Sequence, residues 1–393
     1  MNRERFVLHL NVADFAVAVE RITDNTLQQK PVIVAPLQAA RAAVYDMSNE
    51  AYKDGVRKGM PLNQAIRLCR SARLLPPRFD LYKKAMSAFV NVARHYSPVL
   101  EPGVGDGHLF LDITGTHRLI GTPPDVGWQV RKQVRKNLGI DPIWSVGVNK
   151  LVAKVASRVV KPAGEYIVGP GEETSFLAPL PLLLLPGIQL RERTRLREFN
   201  IKKIGQLAAL EKNQLYAVFG KRAEMLYNIS RGQDDRLVQS HEHQPAAISE
   251  EYTVPGDSAD QQFIEGVVTA LSVRIGLALR DRGMVGCRLL LRLDYIDGST
   301  VVRQRSLRRG VADDFALQAV SLLLLKRAWT RRARIRSCRL SCQRLHRKSP
   351  QLSLFPDRPV SDRKKDHLLS ALDRVREKFG ADSVRFGSQT PLH

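Results

Sequence analysis

The sequence predicts a multidomain α+β protein, and three observations predict it. Strand and helix patterns alternate from residue 5 to about 165. The stretch from Pro179 to about Leu237 is helical throughout. From about 247 to 346 the order of elements is βαββ-αβ-like. A chain of 393 residues is long enough to hold several separate cores.

The elements follow in order. In "LHLNVADFAVAVE" a strand over 5–12 gives way to a helical pattern over 13–24. "KPVIVAP" is a short buried strand. "RAAVYDMSNEAYKDGVRKGMPLNQAIRLC" reads as a strand and two short helices, separated by Gly55, Gly59 and Pro61. Residues 80–96 form an amphipathic helix, "HLFLDIT" a strand, and "DVGWQVRKQVRKNLG" a helix closed by Gly139. "IWSVGVN" is a strand, and "KLVAKVASRVVKP" a helix stopped by Pro162. "VQSHEHQPAAISEEY" is polar without period and reads as a linker. Beyond it come a helix (260–282), strands "CRLLLRLDYID" and "TVVRQRSL", a helix (312–329) and the strand "RIRSCRLSCQRL". An amphipathic helix (365–379) lies in the charged tail.

Sixty-two Lys and Arg against 39 Asp and Glu give a net charge of +23. Such an excess points to a polyanion, most simply nucleic acid; an anionic membrane surface is the rival. The basic residues fall inside folded-looking segments, which favours nucleic acid. The longest apolar stretch, "FLAPLPLLLLPGI", is broken by prolines and too short to span a bilayer. The N-terminus runs into a strand pattern without a signal-peptide cleavage site. Cys69, Cys287, Cys338 and Cys342 lack metal-ligand spacing and read as small core residues, which fits a reducing cytoplasm.

Two regions suit phosphate. Short helices joined at Pro186-Gly187 read as a helix-hairpin-helix, whose backbone N–H groups can hold a phosphate without reading bases. Arg303, Arg305, Arg308, Arg334, Arg336 and Arg339 lie on strands. Period-2 placement puts Arg303 with Arg305, and Arg334 with Arg336, on one face each, expected to be the sheet's open face.

The order of these stretches resembles the Y-family (UmuC/DinB-type) translesion DNA polymerases along nearly the whole chain. "LHLNVADFAVAVE" is similar to the opening palm strand, and "SNEAYKDGVRKGMPLNQAIRLC" to the fingers. "WSVGVNKLVAKVASRVVKPAG" resembles a palm block, and the segment from "LPGI" to "SRGQDDRLV" the thumb. "EEYTVPGDSAD" looks like the start of the little finger. The resemblance implies a palm (1–12 and 76–165), fingers (13–75), a helix-hairpin-helix thumb (166–237) and a linker (238–246). A little finger (247–346) and a tail (347–393) complete it. It places DNA contacts at Lys150, Lys154, Gly187, Arg303, Arg305, Arg334 and Arg336.

That family transfers nucleotides with two Mg²⁺ ions, which prefer carboxylate oxygens. Its metal-binding carboxylates fall on Asn11, Ala13, Gly107 and His108, and its steric-gate aromatic on Ala16. Its triphosphate-binding Tyr and Arg fall on Asn49 and Tyr52, while Lys161 still matches. Of the nearby carboxylates, Asp106 points to the other strand face, Asp14 lies in a first helical turn, and Asp112 matches a structural position. The expectation is therefore a non-catalytic, ImuB-like pseudoenzyme without a metal cofactor. It would serve as a clamp-tethered scaffold in bacterial SOS mutagenesis, with an error-prone C-family polymerase and a RecA-like protein as partners. The alternatives are a divergent active translesion polymerase using Mg²⁺ with Asp106 or Asp14, and a plain nucleic-acid-binding protein.

"QLSLF" matches the bacterial sliding-clamp-binding pentapeptide. Gln351 would hydrogen-bond at the pocket rim, while Leu352, Leu354 and Phe355, spaced by Ser353, anchor in an apolar groove.

Overall fold

Strand β1 (Val7–Asn11) is buried along its whole length, as the centre of a sheet covered on both faces must be. The computed structural model describes residues 5–37, 42–103, 105–240, 247–331, 333–347, 360–380, 383–384 and 387. The chain divides into two compact units, residues 1–37 with 41–243, and 38–40 with 244–393.

In the first unit, β1 is followed by α1 (Phe15–Thr23), β2 (Val32–Val34), β3 (Asp46–Met47), α2 (Asn49–Lys53), α3 (Leu62–Leu68) and β4 (Arg73–Leu75). Then come α4 (Phe79–Ala93), β5 (Leu100–Pro102), β6 (His108–Asp112), α5 (Pro123–Leu138), β7 (Ile143–Gly147), α6 (Lys150–Val159) and β8 (Glu165–Ile167). The main sheet runs β5-β6-β1-β7-β8, and a small sheet runs β3-β2-β4. Strand alternation divides the faces of β1. Leu8 and Leu10 join the core formed with Phe89, Val90, Val126 and Val130 of α4 and α5. Val7 packs with Phe110 and Ala153 on the α6 face, which His9 and Asn11 share. Helix starts follow the sequence: Ser48 accepts from Ala51 N, and Asn149 accepts from Val152 N at 2.9 Å.

Helices α7 (Glu173–Leu177), α8 (Leu190–Glu198), α9 (Ile204–Ala208), α10 (Lys212–Phe219) and α11 (Ala223–Ser230) enclose their own core of Leu177, Leu182, Leu196, Ile204, Leu207 and Leu226. Val238 is buried against Val7 and Phe110, and Gln239 N donates to Glu101 Oε2 at 2.8 Å.

The second unit holds β9 (Ala247–Ser258), α12 (Gln261–Asp281), β10 (Met284–Tyr295), β11 (Thr300–Val311), α13 (Asp314–Ala328), β12 (Ile335–Arg347) and α14 (Val360–Phe379). β9 starts at Ala247, the first residue of the segment expected as the little finger. Its sheet runs β11-β10-β12-β9, antiparallel throughout. Leu289, Leu291 and Leu293 meet Cys342, Leu340 and Cys338 on the face packed by α12 and α13. All four cysteines are free, and Cys69, Cys338 and Cys342 are buried, as read. By length and composition α12 could cross a membrane, but 67% of its apolar stretch is buried within the unit, as in a core helix. α14 is fastened to this unit by ions: Arg376 and Arg280 both bond Asp314, at 2.9 and 2.6 Å, and Arg280 also bonds Asp373.

Candidate active site and nucleic-acid interface

The C-terminal end of β1 lies opposite the start of β6, with Asn11 paired to His108 in the register. Asn11 is 1% exposed and its Nδ2 has no partner. Ala13 follows in the turn into α1. Val12 N donates to Gly107 O at 2.9 Å, tying that turn to the hairpin. Gly107 has φ +75°, and a Cβ built on it would stand 2.8 Å from Phe15 Cβ. A side chain at 107 is therefore excluded both by backbone conformation and by space.

His108 sits in a polar chain on the α6 face. His9 Nδ1 lies 2.8 Å from Ser157 Oγ, and His9 Nε2 lies 3.1 Å from His108 Nδ1. Ser157 Oγ donates to Lys154 O at 3.0 Å. In that polarity His9 and His108 each donate from Nδ1, and His108 Nε2 carries the free lone pair. Burial, then the neighbouring charges of Lys154, Arg158 and Lys161, lower the proton affinity of both rings. His9 falls well below the usual imidazole range, with His108 adding to the effect. His108 falls to about 4, although Asp106 opposes the shift.

Three carboxylates approach this region. Asp106 turns back into its own hairpin, where a Cβ on Gly103 would meet it at 2.0 Å, and its Oδ1 accepts from His108 N at 3.3 Å. Asp46 arrives on β3, accepts from Ala16 N at 2.9 Å and pairs with Lys58 at 2.7 Å. It thereby satisfies the N-terminus of α1 from another element. Asp14 holds a left-handed backbone, φ 51°, and makes no capping bond. Burial, then Asp46, raises its carboxyl to about 6, against Lys58 and Lys161.

The remaining expected site residues are distributed around this centre. Asn49 opens α2, and Tyr52 lies half-exposed with the Arg57 guanidinium 3.8 Å above its ring. Lys161 is exposed, and burial of its head together with Lys58 lowers its proton affinity. Lys154 reaches over Phe110, with its proton affinity lowered by burial and then Arg158. Lys150 is held by both oxygens of Glu101 at 2.6 Å, so its charge is already answered by that carboxylate. Gly187, φ +93°, turns the helical hairpin, with its carbonyl accepting from Arg222 at 2.7 Å.

In the second unit, the register places Arg303 and Arg305 opposite Leu291 and Leu289. They lie on the helix-packed side of the edge strand, not on the open face. The open face carries Arg288, Arg292 and Arg339, with Arg292 bonded to Asp294 and Arg339 to Glu251. Arg334 and Arg336 are exposed around buried Ile335, where the pairing register shifts. The pentapeptide Gln351–Phe355 lies outside the described residues. Sequence reading passed over His9, Ser157, Arg158, Asp46 and Lys58. The period-2 relation of His9 to Asn11 could have found the first; no local signal marks Asp46, which reaches α1 from β3.

A five-stranded sheet with helices on both faces, a small three-stranded sheet, a helical hairpin module and a βαββαβ unit define a polymerase-type right hand. Residues 10–158 match the impB/mucB/samB family, 245–354 that family's C-terminal domain, and 184–234 the DNA polymerase-iota thumb domain. DNA polymerase IV of Dehalococcoides mccartyi (strain CBDB1) is 30% identical over 384 residues, 98% of this chain and 97% of that protein. DNA polymerase IV of Desulfatibacillum aliphaticivorans is 29% identical, covering 97% and 96%. Among solved structures, a Y-family DNA polymerase chimera, Dbh-Dpo4(243-245)-Dbh, superposes with a TM-score of 0.76 at 21% identity, over 87% of this chain and 100% of that one. DinB from Sulfolobus solfataricus gives 0.63 at 22%, over 86% and 98%. The chain belongs to the impB/mucB/samB family of Y-family (UmuC/DinB-type) DNA polymerases.

These relatives overturn the expectation of a non-catalytic scaffold that needs no metal: they match almost end to end and are named as polymerases. Four substituted positions were too narrow a basis for denying activity to the whole fold. The side chains at those positions are nonetheless an amide, a methyl, a hydrogen and an imidazole, which do not fit a pair of hard Mg²⁺ ions. Among the described residues no group of three or more His, Cys, Asp or Glu is placed to hold a metal.

Proposed function

We propose that the chain is a translesion-type DNA polymerase, a nucleotidyltransferase acting on primer-template DNA in the cytoplasm. The observation that carries the reading is the near full-length identity to proteins named DNA polymerase IV. Residues 1–12 and 76–165 serve as palm, 13–75 as fingers, 166–237 as thumb and 247–346 as little finger. Asp14 is the carboxylate assigned to the reacting centre, because Asp46 and Asp106 are engaged by protein partners. Lys161 and Lys154 hold phosphate, as do the Gly187 turn and the arginines of the second unit, Arg303, Arg305, Arg334 and Arg336 among them. Lys150 helps to position this surface through Glu101. Gln351, Leu352, Ser353, Leu354 and Phe355 tether the enzyme to the sliding clamp.

The test is extension of a labelled primer with dNTPs and Mg²⁺ or Mn²⁺. Incorporation is expected with at least one ion, and Asp14→Ala should lower it at least tenfold while DNA affinity stays within twofold. Purified full-length chain that extends no primer under either ion sinks the proposal.

A further inference from the structure

α14 presents three distinct sides. Leu369 and Arg376 are buried against the second unit, and Asp373 beside them bonds Arg280 at 2.6 Å. Arg376 in turn bonds the fully buried Asp314 at 2.9 Å, so ions fix this side where water does not reach. Leu368, Leu372, Val375 and Phe379 follow one another at i, i+4, i+7 and i+11, the a/d spacing of a coiled-coil seam. They are not turned into the fold: Leu368 is 49%, Val375 37% and Phe379 68% exposed, and Leu372 is half-buried. The next side round the helix carries Lys364, His367, Arg374 and Lys378, all exposed. Lys364 and Arg374 have no ion-pair partner among the described residues, and Lys378 lies over the Phe379 ring at 5.2 Å. Glu377 lies on the opposite side of the helix from the seam. A surface helix ordinarily turns its apolar stripe to the core. Here the ionic side takes the inward position, and the apolar seam is held outward in a fixed orientation.

We propose that this seam docks an amphipathic helix of another protein, apolar along one stripe and acidic along the edge that meets Lys364, Arg374 and Lys378. Three features select that occupant. The a/d spacing takes the knobs of a second helix, whereas a phosphate backbone has nothing apolar to set against Leu368, Val375 and Phe379. A second copy of α14 laid antiparallel would set the two basic sides against each other, and like charges facing across an interface are costly. A membrane surface calls for a broad apolar face, whereas this one is a strip bounded along one side by the protein itself. An acidic edge on the partner answers cations that have no partner here. Because the ions already hold α14 in place, docking does not have to order the helix first. The proposal is independent of whether the chain extends primers.

Fluorescence anisotropy of a labelled synthetic helix added to the full chain tests this. The probe is a peptide of about three heptads with Leu at a and d and Glu at e and g. One control is the same composition scrambled, which keeps the charge; the other carries Lys in place of Glu. The acidic heptad peptide is expected to bind at least tenfold more tightly than either control. Leu368→Ser with Val375→Ser should weaken it at least tenfold. Arg374→Glu with Lys378→Glu should weaken it at least fivefold and strengthen the lysine peptide. All four positions are exposed, and unchanged hydrogen-exchange protection of α14 shows the helix still in place; if the Leu368 and Val375 changes remove that protection, the charge changes alone decide. Equal binding of the scrambled peptide, or indifference to the charge changes, overturns the proposal. A dimer in sedimentation that the Leu368 and Val375 changes abolish gives the seam to a second copy. Binding to phosphatidylserine vesicles that the same changes abolish gives it to a membrane. Either result overturns the acidic helix as occupant.

Discussion

Gly107 and Phe15 occupy space that only one of them can fill with a side chain. Gly107→Ala is expected to cost about 1–3 kcal/mol, through overpacking and a left-handed backbone that alanine resists; urea unfolding at neutral pH measures it. Asp14 gives a pH signature. Its folded carboxyl is raised to about 6, so the fold is favoured while the group is protonated. That contribution is whole below the unfolded value near 4 and is lost as pH rises through 6. Asp14→Asn should therefore stabilise the protein by about 1–2 kcal/mol at pH 7.5 and by nothing near pH 4. His9 and His108 act in the opposite sense. Their folded proton affinities are lowered, so their contribution is present above about pH 6.5 and is lost as pH falls toward the folded value of about 4 for His108. His108→Gln should flatten the acid limb of the stability profile.

The elements of the chain were mostly legible because their periods were clean. The alternation in β6, the capped start of α6 and the apolar stripe of α12 each announce themselves. What escaped depends on partners distant in sequence. The opening strand of the βαββ-αβ order had no stated span, because only every second side chain of an antiparallel strand needs to be apolar. The side on which Arg303 and Arg305 lie was misread because period 2 groups residues without saying which group meets the helices; the pairing with Leu291 and Leu289 decides it. The polymerase site showed its unusual donors in sequence, whereas the Ser157–His9–His108 chain needs α6 laid across β1 and β6. At this scale the ion network of α14 makes a strong prediction. Asp314 is fully buried between Arg280 and Arg376. Asp314→Ala should cost about 3–5 kcal/mol, because it removes the buried carboxylate that Arg280 and Arg376 share. Hydrogen exchange should then show α14 losing protection before the sheet does.

The whole molecule carries a charge of +23, so its grip on DNA should be dominated by released counterions. Fluorescence anisotropy between 50 and 200 mM salt should give a steep linear log–log decline on mixed sequences. Replacing Arg303 and Arg305 together by Gln should lower that slope by about one unit for each phosphate no longer neutralised, with no change in sequence preference. An unchanged slope would move the DNA to the open face, where Arg288, Arg292 and Arg339 stand.

The anchoring of α14 also fixes both ends of the stretch that joins it to β12. β12 ends at Arg347 and α14 begins at Val360, and both belong to one folded body. The residues that bound the intervening stretch on either side are therefore fixed in one body. A chain cut between Arg347 and Val360 would leave two fragments still clasped through Asp314.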